Sequence, residues 1–194
     1  TLRQDERTHH YELLLRMRSE DGSIVQPGAF IPAAERYNLV NALDRWVIDA
    51  SFRYLRNTRS NGDDSIYSIN LSGSSLNDEE LPDYIQQKIG EHQVKTGQLC
   101  FEVTETAAVF NLENASRMIH SLKKLGCRFS LDDFGSGLSS FGYLKNLPVD
   151  FLKIDGSFVK DMNTDPMNRA IVEAIHQVGH TLSIRTIAEF VENK

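Results

Sequence analysis

Phe129-Ser130-Leu131-Asp132-Asp133 is a short apolar run that ends in two adjacent carboxylates. The same form recurs along the chain. Ile66-Tyr67-Ser68-Ile69 ends in Asn70, Leu99-Cys100-Phe101 in Glu102, Phe151-Leu152-Lys153-Ile154 in Asp155, and residues 184–188 in Glu189. Tyr11-Glu12-Leu13-Leu14-Leu15-Arg16 is a sixth case, with its acid near the start. Short apolar runs of this kind read as buried strands. Strands whose ends converge gather these acids into one pocket, where like charges repel and lose hydration. A cation offsets that cost, so the pattern points to a metal site at one end of a barrel or sheet.

Working outward, the spacing predicts strands over residues 11–17, 66–71, 99–103, 128–131, 151–154 and 183–188. Helical patterns lie between them. Leu43, Val47, Ala50 and Tyr54 recur at helix spacing, with Trp46 on an adjoining stripe. A similar pattern surrounds Ile85 and Ile89. Ala115, Met118, Ile119, Leu122 and Leu125 form an apolar face that stops at Gly126, a C-cap signal. Ala170, Ile171, Ala174, Ile175 and Val178 form the last face. Strands alternating with helices imply an α/β fold with a largely parallel sheet. The acids fall at the carboxyl ends of most strands, where barrels and open α/β sheets place their active sites. At 194 residues the chain is short of the ~250 of a full eight-stranded barrel. The expected fold is therefore a small or incomplete barrel or a doubly wound sheet.

Composition narrows the function. Hydrophobic residues make up 40% and charged residues 25%, as in an ordinary globular domain. The net charge of −6 argues against a nucleic-acid duplex as partner, because binding its backbone needs a basic face. A small phosphate ligand remains compatible, since bound metal ions reverse the local field. No apolar run approaches the ~20 residues that cross a bilayer, and the polar start at Thr1 has no signal-peptide pattern. Direct membrane contact is not expected. Cys100 and Cys127 sit in apolar runs and read as free thiols of a reducing compartment, the cytoplasm. With no linker or repeat, residues 1–194 read as one domain.

The candidate site residues each carry two readings. Glu12 and Arg16 share a strand face by alternation, either as a buried ion pair or as a metal ligand beside a phosphate clamp. Asn70 caps a turn or supplies a neutral oxygen to a hard cation. Glu102 is costly to keep ionised unless paired. Glu105, past the strand end, anchors a loop or ligates directly. Asp132 and Asp133 can serve two cations, one acid bridging, if the chain turns there; Gly135 and Gly137 allow such a turn. Lys153, with Asp155 two residues on, forms a structural pair or orients a metal-bound water. Glu189 is expected to hold a water or the second ion. The histidines carry no assigned chemistry, and no Ser–His–acid arrangement stands out.

These residues together resemble the EAL domain, the cyclic di-GMP phosphodiesterase family of bacterial signalling. The resemblance runs from about Tyr11 to Glu192. It rests on Glu12-Leu13-Leu14 with Arg16, Phe30-Ile31-Pro32 with Glu35, Asn70-Leu71-Ser72, Glu102-Val103-Thr104-Glu105, Asp132-Asp133-Phe134-Gly135, Leu152-Lys153-Ile154-Asp155 and Ala188-Glu189. It implies a modified TIM-like β/α barrel with an antiparallel first strand, two Mg²⁺ or Mn²⁺ ions, and hydrolysis of cyclic di-GMP to linear pGpG. By position it assigns Glu12, Asn70, Glu102 and Asp132 to the first ion, and Asp132 with Asp133 to the second. Lys153 and Glu189 would position the water, Arg16 would grip a phosphate, and Asp155 would lie near a guanine. Glu105 and residues 134–140 would form a loop that couples metal binding to homodimer formation.

The chain departs from that pattern at particular points. Leu13 stands where the name-giving motif has Ala; it faces away from Glu12, so a packing change is expected. Phe190 replaces a usual Gly, and Leu138 a common Tyr. A first strand with a Gln-Pro motif and a late Gln-Gly motif are absent, so the chain reads as clipped at both ends. The alternative function is a catalytically inactive receptor for cyclic di-GMP or a protein-interaction module. Occupancy of every ligand position favours the enzyme.

Overall fold

The computed structural model describes residues 9–58, 64–137 and 141–191. The expectations for Leu138, for the rest of the loop through Ser140, and for Glu192 fall outside them. The main sheet has strands β1 (His10–Leu13), β4 (Ile66–Asn70), β5 (Leu99–Thr104), β6 (Arg128–Phe134), β7 (Phe151–Ile154) and β8 (Arg185–Ala188), in that order. Every neighbouring pair in it is parallel. The antiparallel first strand implied by the resemblance is not among them; the antiparallel pairing described is a separate two-residue ladder, β2 (Met17–Arg18) with β3 (Ile24–Val25). Helices α1 (Pro27–Arg36), α2 (Val40–Thr58), α3 (Leu81–His92), α4 (Glu105–Phe110), α5 (Leu112–Lys124), α6 (Gly156–Lys160) and α7 (Pro166–Thr181) follow in chain order.

The sheet is curled. Glu12 on β1 and Lys153 on β7 are separated by four strand spacings, which would span about 19 Å if flat. Their charged ends nevertheless lie 3.4 Å apart. The result is a half-barrel with helices outside, the TIM-like α/β fold that the resemblance implies; of the barrel and the doubly wound sheet left open by the alternating pattern, it is the barrel.

Period-two alternation sorts the residues of each strand. Ile69, Phe101, Val103, Phe129, Leu131 and Leu152 point outward into the main core, packed with Ile48 and Phe52 of α2, Ile85 of α3 and Ile119 of α5. Ile66, Cys100 and Phe151, with Ile187 against them, form a small apolar floor on the inner side. The polar inner residues rise above that floor. Both cysteines are free and buried. Burial pushes the Cys127 thiol up to about 12 and the Cys100 thiol upward as well.

Three local expectations need correction. The first strand ends at Leu13, so alternation does not extend to Arg16. The buried stripe of α2 is Val40, Asp44, Ile48, Ser51, Phe52 and Leu55, not Leu43–Val47–Ala50–Tyr54. Tyr54 and Trp46 are exposed. Asp44 misled the periodicity, because its carboxylate is buried as an acceptor for Ser72 N–H (2.9 Å) and Ser75 O–H (2.7 Å). In α7, Ile175 is buried and Ile171 and Val178 pack on the core, but Ala170 and Ala174 face out. The α5 face and its stop agree with expectation; Gly126 follows the helix at φ 90°, a conformation that favours glycine.

Candidate metal centre at the strand ends

The inner face carries the acids toward the carboxyl end of the sheet. Lys153 Nζ sits at their centre. It lies 3.0 Å from Glu102 Oε2, 3.0 Å from Asp132 Oδ1, 3.0 Å from Glu189 Oε1 and 3.4 Å from Glu12 Oε2. Asn70 donates its amide to Glu12 Oε1 at 2.7 Å, leaving its own oxygen as a donor atom for a cation. Four carboxylates thus face one ammonium, and the lysine is only 8% exposed. Glu12, Asn70, Glu102, Asp132, Lys153 and Glu189 come together from six different strands or their ends, as the sequence pattern predicted.

Asp132 and Asp133 reach the same centre by a bulge. Leu131 pairs with Leu152 and Phe134 with Ile154, so β6 carries one more residue than β7 over this interval. Asp133 takes up the extra residue at φ 52°, in the left-handed region that Asp tolerates better than most side chains. In a regular strand the two side chains would oppose each other. Here ligand atoms of Asp132, Asp133 and Glu189 lie within 4.8 Å of one another, and so do those of Glu12, Glu102 and Asp132. Asp132 belongs to both groups. The sequence placed the turn after Leu131; the strand instead continues to Phe134, and the bulge does the work assigned to the glycines.

The charge excess is visible in the titrating groups. Burial raises the Glu102 carboxyl, against the pull of Lys153 and a hydrogen bond from Ser68. Burial likewise raises Glu189. Asp133 is raised by burial, then by Asp132 and Asp155. For Lys153, burial alone would lower the ammonium, but Glu102 and Asp132 outweigh it and hold it above its ordinary value. Ser130, paired in register with Glu102, has a buried hydroxyl with no hydrogen-bond partner among the described residues. One amide and five carboxylates are hard oxygen donors, the set that suits Mg²⁺ or Mn²⁺. The residues fit the binding of a divalent metal ion. Glu12, Glu102, Lys153 and Glu189 line a cavity of about 350 Å³.

The remaining candidates lie around this centre. Glu105, 1% exposed at the start of α4, accepts Gly135 N–H at 2.8 Å and Tyr143 O–H at 2.5 Å. Both oxygens are engaged away from the acid groups. Asp155 caps α6, accepting Ser157 N–H at 2.7 Å. Arg16 is not brought to the acids. It is exposed and donates to the Leu15 carbonyl at 2.7 Å, while the ion pair of Glu12 is with Lys153. Sequence reasoning missed Asp44, which holds the turn after Asn70, and Tyr143, which shares Glu105. No sequence signal marked either residue: Asp44 sits on a helix that also carries Arg45, Asp49 and Arg53, and nothing around Tyr143 points to Glu105.

An α/β half-barrel with a hard-oxygen carboxylate centre at its strand ends defines the class of protein. The model of the EAL domain matches residues 3–194, and the chain belongs to that family. It is 44% identical over 183 residues to the cyclic di-GMP phosphodiesterase PdeB of Shewanella oneidensis, covering 94% of this chain and 21% of that protein. It is 34% identical over 185 residues to the cyclic di-GMP phosphodiesterase PdeF of Escherichia coli, covering 95% of this chain and 25% of that one. The chain thus spans about a quarter or less of these curated relatives. Among solved structures it is similar to the FimX EAL domain from Pseudomonas aeruginosa bound to c-di-GMP, with a TM-score of 0.90, 32% identity, and coverage of 97% of this chain and 76% of that chain. The PaMucR phosphodiesterase in complex with c-di-GMP gives a TM-score of 0.88 at 34% identity, covering 94% and 74%.

Proposed function

We propose that this domain hydrolyses cyclic di-GMP to linear pGpG, with two Mg²⁺ or Mn²⁺ ions. The observation that carries the reading is the crowding of four carboxylates on Lys153 Nζ, with Asp132 shared between two acid groups. The names of the similar phosphodiesterases support the substrate.

Glu12, Asn70, Glu102 and Asp132 would hold the first ion, and Asp132 with Asp133 the second. Bound there, the ions would supply an activated water and offset the charge that builds on the phosphate oxygens. Lys153 and Glu189, 3.0 Å apart, orient that water: the ammonium donates to it and the carboxylate accepts its proton. Arg16, exposed beyond the end of β1, rotates from the Leu15 carbonyl to grip a phosphate oxygen. Asp155 reads the guanine edge. Glu105 ties the start of α4 to Gly135 and Tyr143, and so couples occupancy of the metal centre to the loop and to a homodimer. Residues 1–194 act as one domain, in the cytoplasm, where the free buried thiols Cys100 and Cys127 stay reduced. No helix among the described residues is long and apolar enough to cross a membrane.

The test is incubation with cyclic di-GMP and Mn²⁺, resolving the linear dinucleotide by chromatography. Product that disappears with a chelator and returns with Mg²⁺ or Mn²⁺ supports the reading. Binding without product selects the receptor alternative.

A further inference from the structure

Phe190 is the least comfortable residue of the site. It follows Glu189, the acid 3.0 Å from Lys153, and adopts φ 49°. Asn and Asp enter that left-handed region readily; for a bulky aromatic it is a true outlier. Burial does not compensate it, because the residue is 71% exposed. The ring nevertheless has a defined seat. A Cβ built on Gly156 would fall 2.1 Å from Phe190 Cδ2, so only glycine leaves room for the ring there. Phe190 also lines the same cavity as Glu12, Glu102, Lys153 and Glu189.

A strained, exposed aromatic that gains little from the fold is placed for something outside it. Its neighbours say what. Gly156 directly follows Asp155, whose side chain caps α6 through one oxygen, Oδ1. The ring therefore packs on the residue that follows a carboxylate, an acceptor suited to a purine edge carrying N–H donors. A flat aromatic face beside an edge acceptor is the arrangement that recognises a base by stacking and by hydrogen bonds together.

We propose that Phe190 is a specificity-determining residue: a stacking platform for one guanine of the substrate, with Asp155 at that base's edge. The inference rests on the cyclic di-GMP reading of the site. A ring stacked on a base changes affinity by roughly 5- to 150-fold when truncated. Because the phenyl ring carries no acid, base or metal donor, its loss weakens binding of the base and leaves the chemical step unchanged.

The experiment compares wild type, Phe190→Gly and Phe190→Tyr. Affinity for cyclic di-GMP is measured by calorimetry with Ca²⁺, which accepts the same oxygen donors. Turnover with Mn²⁺ is measured on cyclic di-GMP and on bis(p-nitrophenyl) phosphate, a diester with no purine. Melting temperature is measured alongside. For Phe190→Gly the expected result is a Kd and KM for cyclic di-GMP raised at least fivefold. Its kcat stays within twofold, its rate on the purine-free diester is unchanged, and its melting temperature is no lower than wild type, since glycine accepts the backbone conformation. Phe190→Tyr retains wild-type affinity. Unchanged affinity in Phe190→Gly overturns the inference. So does a melting temperature that falls together with affinity, which would make the ring a packing residue. A wild type that binds cyclic di-GMP but does not cut it overturns the hydrolase reading alone, and the Kd comparison still decides the role of Phe190. A wild type that binds none overturns both.

Discussion

Lys153 Nζ and Glu12 Oε2 meet at 3.4 Å across 141 residues of chain. That contact closes the curl of the sheet and fixes the charge balance of the metal centre. Replacing Lys153 with Met leaves Glu102, Asp132 and Glu189 without the cation that now stands 3.0 Å from each. Breaking a buried pair on one side costs about 3–5 kcal/mol. The metal-free melting temperature of Lys153→Met is expected to fall accordingly, and added Mn²⁺ to restore part of it. Turnover is expected to drop about 100-fold or more and not to recover with metal, because the water-orienting donor is gone.

Asp132 serves both acid groups, so its loss removes donors from both ions. Asp132→Ala and Glu12→Ala are each expected to cut turnover by about a thousandfold, the scale of deleting a main electrostatic stabiliser. Unchanged hydrolysis of cyclic di-GMP in either variant would refute the ligand assignment.

Leu13 alternates with Glu12 and packs on the outer core. Leu13→Ala is expected to cost about 2 kcal/mol in denaturant unfolding, the low end for a partly buried leucine. Its turnover stays within a few fold of wild type. A large rate loss would show that the residue replacing Ala in the name-giving motif does more than pack.

Glu105 holds Gly135 N–H and Tyr143 O–H from a buried position. Glu105→Ala removes the acceptor that Gly135 and Tyr143 share, at about 1–3 kcal/mol for a buried donor left dry. Hydrogen exchange at the Gly135 amide is expected to quicken, and kcat to fall while the acids of the centre remain. Tyr143→Phe, which removes one of the two bonds, is expected to show a smaller loss of the same kind.

The cluster of Asp49, Lys88, Arg53 and His92 sets an acid limit away from the metal centre. Hydrogen bonds from His92, then Lys88, hold the Asp49 carboxyl well below its ordinary 3.8. A lowered carboxyl stabilises the fold above its unfolded value, and the gain is lost as pH falls toward the folded one. Asp49→Asn is therefore expected to lower the melting temperature at neutral pH and to flatten its decline below about pH 4. An unchanged acid profile would remove this cluster from the account of stability.

Much of this architecture was legible because it is local. Short apolar runs ending in acids marked six strands, and a strict stripe such as Ala115–Met118–Ile119–Leu122 marked α5. The acids could be grouped because parallel strands place their carboxyl ends together. What escaped was non-local. Nothing in the run Leu131-Asp132-Asp133-Phe134 announces a bulge, since the extra residue exists only relative to β7. Arg16 looked inward only while the strand was taken to continue past Leu13. Asp44 reads as solvent-facing until Ser72 and Ser75 are brought to it by the fold.

The most direct test is anomalous diffraction at the manganese edge from crystals grown with Mn²⁺. The account predicts two peaks that share Asp132: one among Glu12, Asn70 and Glu102, the other beside Asp133. Manganese found instead at Asp49, Glu91 and His92, the remaining acid group able to hold an ion among the described residues, with none at Asp132, would contradict it.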